Sequence, residues 1–190
     1  MSSKNGMFLK KGQPTNIKEA LWWEEQCVRR QGGYDLDTTN LPAGTRFIPK
    51  GTLLELIAGT GKVKVVKSAT VYANAAQNAT TLQIVENPLI KVGDTLAGSQ
   101  ISAISTEDGV STLTVAALAS AVSKDAVVTT ATSESVIVGL QYETIDLQDV
   151  DFPQVAVTLQ AFEIEEATMP QPINATMKQW LGPLHQFKIQ

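Results

Sequence analysis

Few residues of this chain are of the kinds that carry chemistry. Cysteine and histidine each occur once, as Cys27 and His185, so no internal disulfide is possible and the fold must stand on burial alone. A histidine–cysteine metal site would need that pair brought together over long range with two further ligands. No cofactor and no metal is expected. Nothing positive is placed in sequence to lower the Cys27 thiol, so it reads as a buried structural cysteine, and His185, in the C-terminal stretch, reads as a solvent-facing or capping residue. Only 18% of residues are charged and the net charge is -4, which argues against a nucleic-acid partner, because neutralising phosphates takes clustered Lys and Arg. The nearest approach to a basic cluster is Lys62, Lys64 and Lys67, whose alternation suits the wet side of a strand. No run approaches the ~20 apolar residues of a membrane span. Residues 1–14 lack the apolar stretch of a leader peptide, so a soluble protein with no membrane partner is expected.

What is present is a 190-residue chain, 43% hydrophobic, enough for one domain or for a domain with a sizeable insertion. Residues 1–15 are polar and aperiodic and read as a flexible arm, with one apolar patch at Met7, Phe8 and Leu9 suited to strand addition on a partner. From Asn16 the pattern changes. Asn16 and Glu19 have capping-box spacing, and Ile17, Ala20, Leu21, Trp23, Cys27 and Val28 recur at helical steps before Gly32 and Gly33, which predicts a short helix. Trp22 and Trp23 cannot share one helix face, so one of them is expected to remain for a partner or subunit contact.

Strand signals follow. LPAGTRFIPKGTLLELI carries two short apolar runs, and KVKVVKSATVY alternates Lys with Val, a hairpin pattern. Residues 73–131 are rich in Ala, Ser, Thr and Val and contain no aromatic residue. Here TLQIV, LIKVGDTLAG, SQISAIS, STLTVAAL and AVVTTA read as five short strands, with Asp108-Gly109 as the strongest turn signal. The stretch is read as an inserted β-subdomain with a thin core of its own, between core segments 16–72 and 132–190. In QVAVTLQAFEI, Val155, Val157 and Leu159 are expected on one face, with Ala156, Thr158 and Gln160 on the other. Ile173, Met177, Trp180 and Leu181, between Pro172 and Gly182, predict a closing helix that lays Trp180 on the core.

Motifs that suggest chemistry dissolve on inspection. The stretch Ala58-Gly59-Thr60-Gly61-Lys62 is not a phosphate loop, since that spacing needs Gly where Leu56 stands and Ser or Thr where Val63 stands. Glu143, Asp146, Asp149 and Asp151 lack the central Gly and distal Glu of a calcium loop and read as a solvated turn. Glu163, Glu165 and Glu166 read as surface charge at a strand end.

The succession now assembled resembles the head decoration proteins of tailed bacteriophages of the lambda type and the related head fibre proteins. It is carried by a polar arm, by Leu41-Pro42-Ala43-Gly44-Thr45 entering a strand, by VIVGLQYETIDLQDVD, by QVAVTLQAFEI and by a helix near PQPI. The resemblance implies a small β-barrel; joined to the residue patterns above it gives the expected fold, mainly β, a β-barrel-like core with two short helices and an inserted small β-subdomain that the compact members of that family lack. It further implies a structural, non-enzymatic role on the outer surface of a phage capsid in the virion, after synthesis in the bacterial host cytoplasm. The partners implied are the major capsid protein and two further copies in a homotrimer; the apolar patch of the arm, Met7, Phe8 and Leu9, is expected to supply the capsid-binding residues. The alternative is a carbohydrate-binding or adhesive fibre module, for which Tyr72 is the nearest aromatic candidate.

Overall fold

The computed structural model describes residues 17–148 and 150–188. It is mainly β, 39% strand and 8% helical, so the expected class holds. In chain order the strands are β1 (Val28–Arg29), β2 (Tyr34–Leu36), β3 (Phe47–Ile48), β4 (Leu53–Leu56), β5 (Lys62–Val65), β6 (Ser68–Thr70), β7 (Thr81–Val85) and β8 (Thr95–Leu96). They continue as β9 (Ser99–Glu107), β10 (Val110–Val115), β11 (Val127–Thr129), β12 (Val136–Leu140), β13 (Ile145–Asp146), β14 (Gln154–Val155), β15 (Thr158–Ile164) and β16 (His185–Phe187). Among the described residues there is one α-helix, α1 (Ala175–Leu181).

A five-stranded sheet in the order β12-β4-β5-β2-β14 forms the larger body. It curls back on itself because Gln141, just past β12, bridges Val157, just past β14, and Tyr142 N donates to Ala156 O at 2.8 Å. This seam requires a close approach at Gly139: with φ at 142°, a Cβ there would lie 2.2 Å from Thr158 O, which only glycine avoids. Beside it lies a small sheet, β1-β15-β16, and α1 packs Met177 and Leu181 into a core shared with Trp22, Leu140, Ile164 and Met169. Asn174 caps α1 by accepting from Met177 N at 2.9 Å, and Trp180 packs partly buried against the same core, as its spacing predicted.

The small-residue stretch builds its own sheet, in the order β7-β10-β9-β8, over an aliphatic cluster that includes Leu82, Ile84, Ile101 and Leu113. Asp108 and Gly109 both take positive φ, 48° and 76°, the hairpin turn that joins β9 to β10. The cluster reaches beyond residues 73–131, drawing in Ala69, Val71 and Val128, while β6 and β11 pair side by side. Several contacts tie it to the barrel. Lys67 Nζ meets Asp94 Oδ2 at 2.5 Å, Gln171 Oε1 accepts from both Ser68 N and Asn87 Nδ2 at 2.9 Å, and Leu89 packs in the barrel core.

Three sequence expectations are corrected. The expected N-terminal helix is an extended strap: Trp23 N donates to Phe162 O at 2.9 Å and Arg30 N to Val157 O at 2.8 Å, with one 3-10 turn at Glu24–Gln26. Pairing with β15 supplies these backbone groups with partners, and the side chains alternate: Ala20 and Trp22 are buried, Leu21 and Trp23 exposed. The expected faces of residues 155–160 hold only as far as Val157. The chain breaks between β14 and β15, after which Thr158 is buried and Leu159 exposed. Lys67 does not join Lys62 on a wet face; it lies past β5 and is 1% exposed, its ammonium held by Asp94.

Candidate interaction surfaces

The acidic and glycine-rich stretches singled out from sequence are structural where they are described. Among the described residues no group of three or more His, Cys, Asp and Glu could hold a metal ion. Asp146 pairs with Arg46 at 2.9 Å, while Glu165 and Glu166 pair with Lys188 and Lys178. The glycine-rich stretch is the β4–β5 turn, where Thr60 Oγ1 donates to Ile57 O at 2.9 Å. Cys27 is half-buried, and burial together with the nearby Glu24 carboxylate pushes its thiol up to about 11, so it stays protonated and unreactive at neutral pH.

His185 is neither solvent-facing nor merely terminal. It is buried in β16 as the middle of a hydrogen-bonded chain. Leu140 N donates to Thr158 Oγ1 at 3.0 Å, Thr158 Oγ1 lies 2.9 Å from His185 Nε2, and His185 Nδ1 lies 3.0 Å from Leu181 O. Leu181 O can only accept, so Nδ1 carries the proton and Nε2 accepts from the threonine hydroxyl. The ring thereby caps the last turn of α1, and burial depresses its pKa, holding the imidazole neutral.

The two adjacent tryptophans part company. Trp22, at 7% exposed, belongs to the core and lies under the Lys50 ammonium, 4.2 Å from its ring centroid. Trp23 is 50% exposed, so of the two it alone is presented to solvent. Exposed Leu21, Val28, Leu159 and Leu184 occupy the same strap-and-sheet region. Val28 pairs with Gln160, Glu165 N donates to Leu21 O, and Ala161 N donates to Leu184 O, so these side chains follow β15 along its length. Met7, Phe8 and Leu9 lie outside the described residues; the described chain begins at Ile17, four residues before this strip.

A second surface lies on the barrel flank. Pro42, Phe47, Pro49, Pro88, Leu89 and Pro170 line a cleft of about 510 Å³, with Lys18 and Arg46 also at its wall. The β13–β14 loop, which starts at Asp146 beside Arg46, exposes Val150 and Phe152. Neither Phe152 nor Leu184 was singled out from sequence. A signal for Phe152 existed in an aromatic set between Asp151 and Pro153 within an otherwise acidic turn. None existed for Leu184, whose exposure depends on the parallel pairing of β15 with β16.

No known protein family, characterised protein or solved structure matches the chain.

Proposed function

We propose that this protein is a structural component of a phage particle: it attaches to the outer capsid surface, stabilises the head, and carries the small-residue sheet as a displayed module. The observation that supports this reading best is the apolar strip of Leu21, Trp23, Val28, Leu159 and Leu184 along β15. Covering a half-exposed side chain of this size contributes about 1 kcal/mol, too little for tight binding by one copy. Repeated on a symmetric lattice by a trimer, the same weak contact becomes strong through effective concentration. The partner is the major capsid protein. Met7, Phe8 and Leu9, outside the described residues, are the capsid contacts of the arm in this reading.

Co-sedimentation with capsids assembled from the major capsid protein of the same genome tests this. The complete chain is expected to pellet with capsids, whereas Trp23→Ser and a chain lacking residues 1–13 stay in the supernatant with unchanged melting temperatures. Equal pelleting by all three, or a gene neighbourhood made only of metabolic enzymes, defeats the reading.

A further inference from the structure

We infer that Phe152 is the anchor by which one copy of this chain grips another, and that the proline-lined cleft is its socket. Phe152 is 88% exposed, more than any other large hydrophobic residue described, and Val150 beside it is exposed as well. An aromatic side chain left in water forgoes the burial of about 150–250 Å² that it contributes to interfaces. The loop is tethered at both ends: Arg46 Nη2 meets Asp146 Oδ2 at 2.9 Å, and Leu36 N donates to Pro153 O at 2.8 Å. Phe152 is thus held out from fixed points.

The socket matches the anchor in character. Its volume of about 510 Å³ has room for the phenyl ring together with neighbouring side chains of the same loop. Pro42, Pro49, Pro88 and Pro170 wall it with rings that lose little freedom on contact, and Phe47 offers an aromatic surface. Charge matches too. Lys18 lies at the socket and Asp151 immediately precedes the anchor, so the acid-flanked aromatic of one copy meets a lysine at the rim of the next. Phe47 of the socket pairs with Asp146 at the start of the anchor loop, which sets the socket beside the base of that loop. A patch holding both halves of a contact is satisfied by a second copy of the same chain. One phenylalanine covers far less than the roughly 800 Å² per partner of a stable interface, so it serves as the central hot spot of a wider contact.

The inference rests on the self-association within the reading above and not on capsid attachment. Sedimentation velocity of the complete chain across micromolar concentrations is expected to show an oligomer. Phe152→Ala should weaken it by roughly tenfold or more and leave the melting temperature of the dissociated single chain unchanged, since there the side chain is already in water. Lys18→Glu and Asp151→Lys should each weaken association, and mixing the two variant chains should restore it. In a Cys27→Ser background, mixing a Phe152→Cys chain with an Ala43→Cys chain should yield a mixed disulfide between chains. An oligomer indifferent to Phe152→Ala, or no mixed disulfide, overturns the inference while leaving self-association intact; a protein monomeric throughout overturns both.

Discussion

The barrel and the small-residue sheet are both β structures with aliphatic interiors, yet they are held together in different ways. The sheet β7-β10-β9-β8 is joined largely by neighbours in sequence, and its cluster consists of Ala, Val, Leu and Ile alone. The barrel joins distant segments. Leu21 pairs with Glu165, Ser68 N donates to Gln171 Oε1, and its interior includes Trp22, two methionines and buried polar groups such as Gln141, Thr158 and His185. A body made of local hairpins tolerates change piecemeal, whereas one closed by long-range seams depends on a few positions that cannot move.

The largest expected effect therefore falls on the barrel seam. Gly139→Ala would set a Cβ 2.2 Å from Thr158 O and 2.7 Å from Val157 Cγ1 at a φ of 142°, and is expected to cost more than about 4 kcal/mol. Hydrogen exchange should show amides of β4, β12 and β15 losing protection while those of β9 and β10 keep much of theirs. Uniform loss would mean that the two bodies melt as one and would erase the contrast.

The joint between them comes next. Lys67 is 1% exposed and its burial already lowers its pKa, with Asp94 as the counter-charge. Asp94→Ala strands that ammonium and should destabilise by about 3 kcal/mol in denaturant unfolding. Lys67→Met combined with Asp94→Leu should recover most of the loss, because an apolar pair of similar volume avoids the desolvation cost. Failure to recover would show that the pair fixes the packing of the joint as well as its charge.

How far the sequence could be read follows the same division. The β9–β10 hairpin and its Asp108-Gly109 turn were legible, because partner strands lie beside each other in the chain and the turn chemistry is local. The helix α1 was legible from the spacing of Ile173, Met177 and Leu181. The N-terminal strap was misread because Ala20, Leu21 and Trp23 fit a helical period by chance, while what decides its conformation is β15, more than a hundred residues away. Adjacent Trp22 and Trp23 held the better clue: a strand parts such neighbours onto opposite faces, and tryptophan favours strands. Thr158 and Lys67 looked like surface residues because each is polar, and each is buried because a partner distant in sequence satisfies it; His185, read as solvent-facing or capping, is the cap of α1 and is buried through Thr158. The candidate interaction surface was legible only as the statement that one tryptophan would remain exposed.

The His185 chain sharpens the contrast through pH, since the small-residue sheet contains no histidine. Burial depresses the folded pKa of His185 below its ordinary 6.5. Above about 6.5 the ring is neutral in folded and unfolded chains alike, and pH has no leverage through it. As pH falls below that value the unfolded state binds the proton first, so stability declines until the depressed folded pKa is passed. The melting temperature should therefore drop on going from pH 7 to pH 5, and His185→Gln should flatten that slope while lowering stability at pH 7. An unchanged slope in the variant would remove His185 as its cause.

The smallest effect separates two roles of one side chain at the boundary. Asn174 Oδ1 caps α1 through Met177 N at 2.9 Å, and its Nδ2 donates to Val127 O of β11 at 3.2 Å, so one residue serves the barrel helix and the strand that leads back from the small-residue sheet. Serine is an equally good cap, but it is too short to reach Val127, so Asn174→Ser removes the link and spares the helix. The link is a neutral, partly buried hydrogen bond, and its loss should cost about 1 kcal/mol. Asn174→Ala removes both functions and should cost about 1 kcal/mol more, the usual worth of a cap. Urea unfolding of the two variants beside the parent chain reads both steps. Equal losses for Ser and Ala would mean that α1 is held by its packing through Met177 and Leu181 and that the cap adds nothing. A loss for Ala alone would mean that the two bodies meet here without energetic coupling.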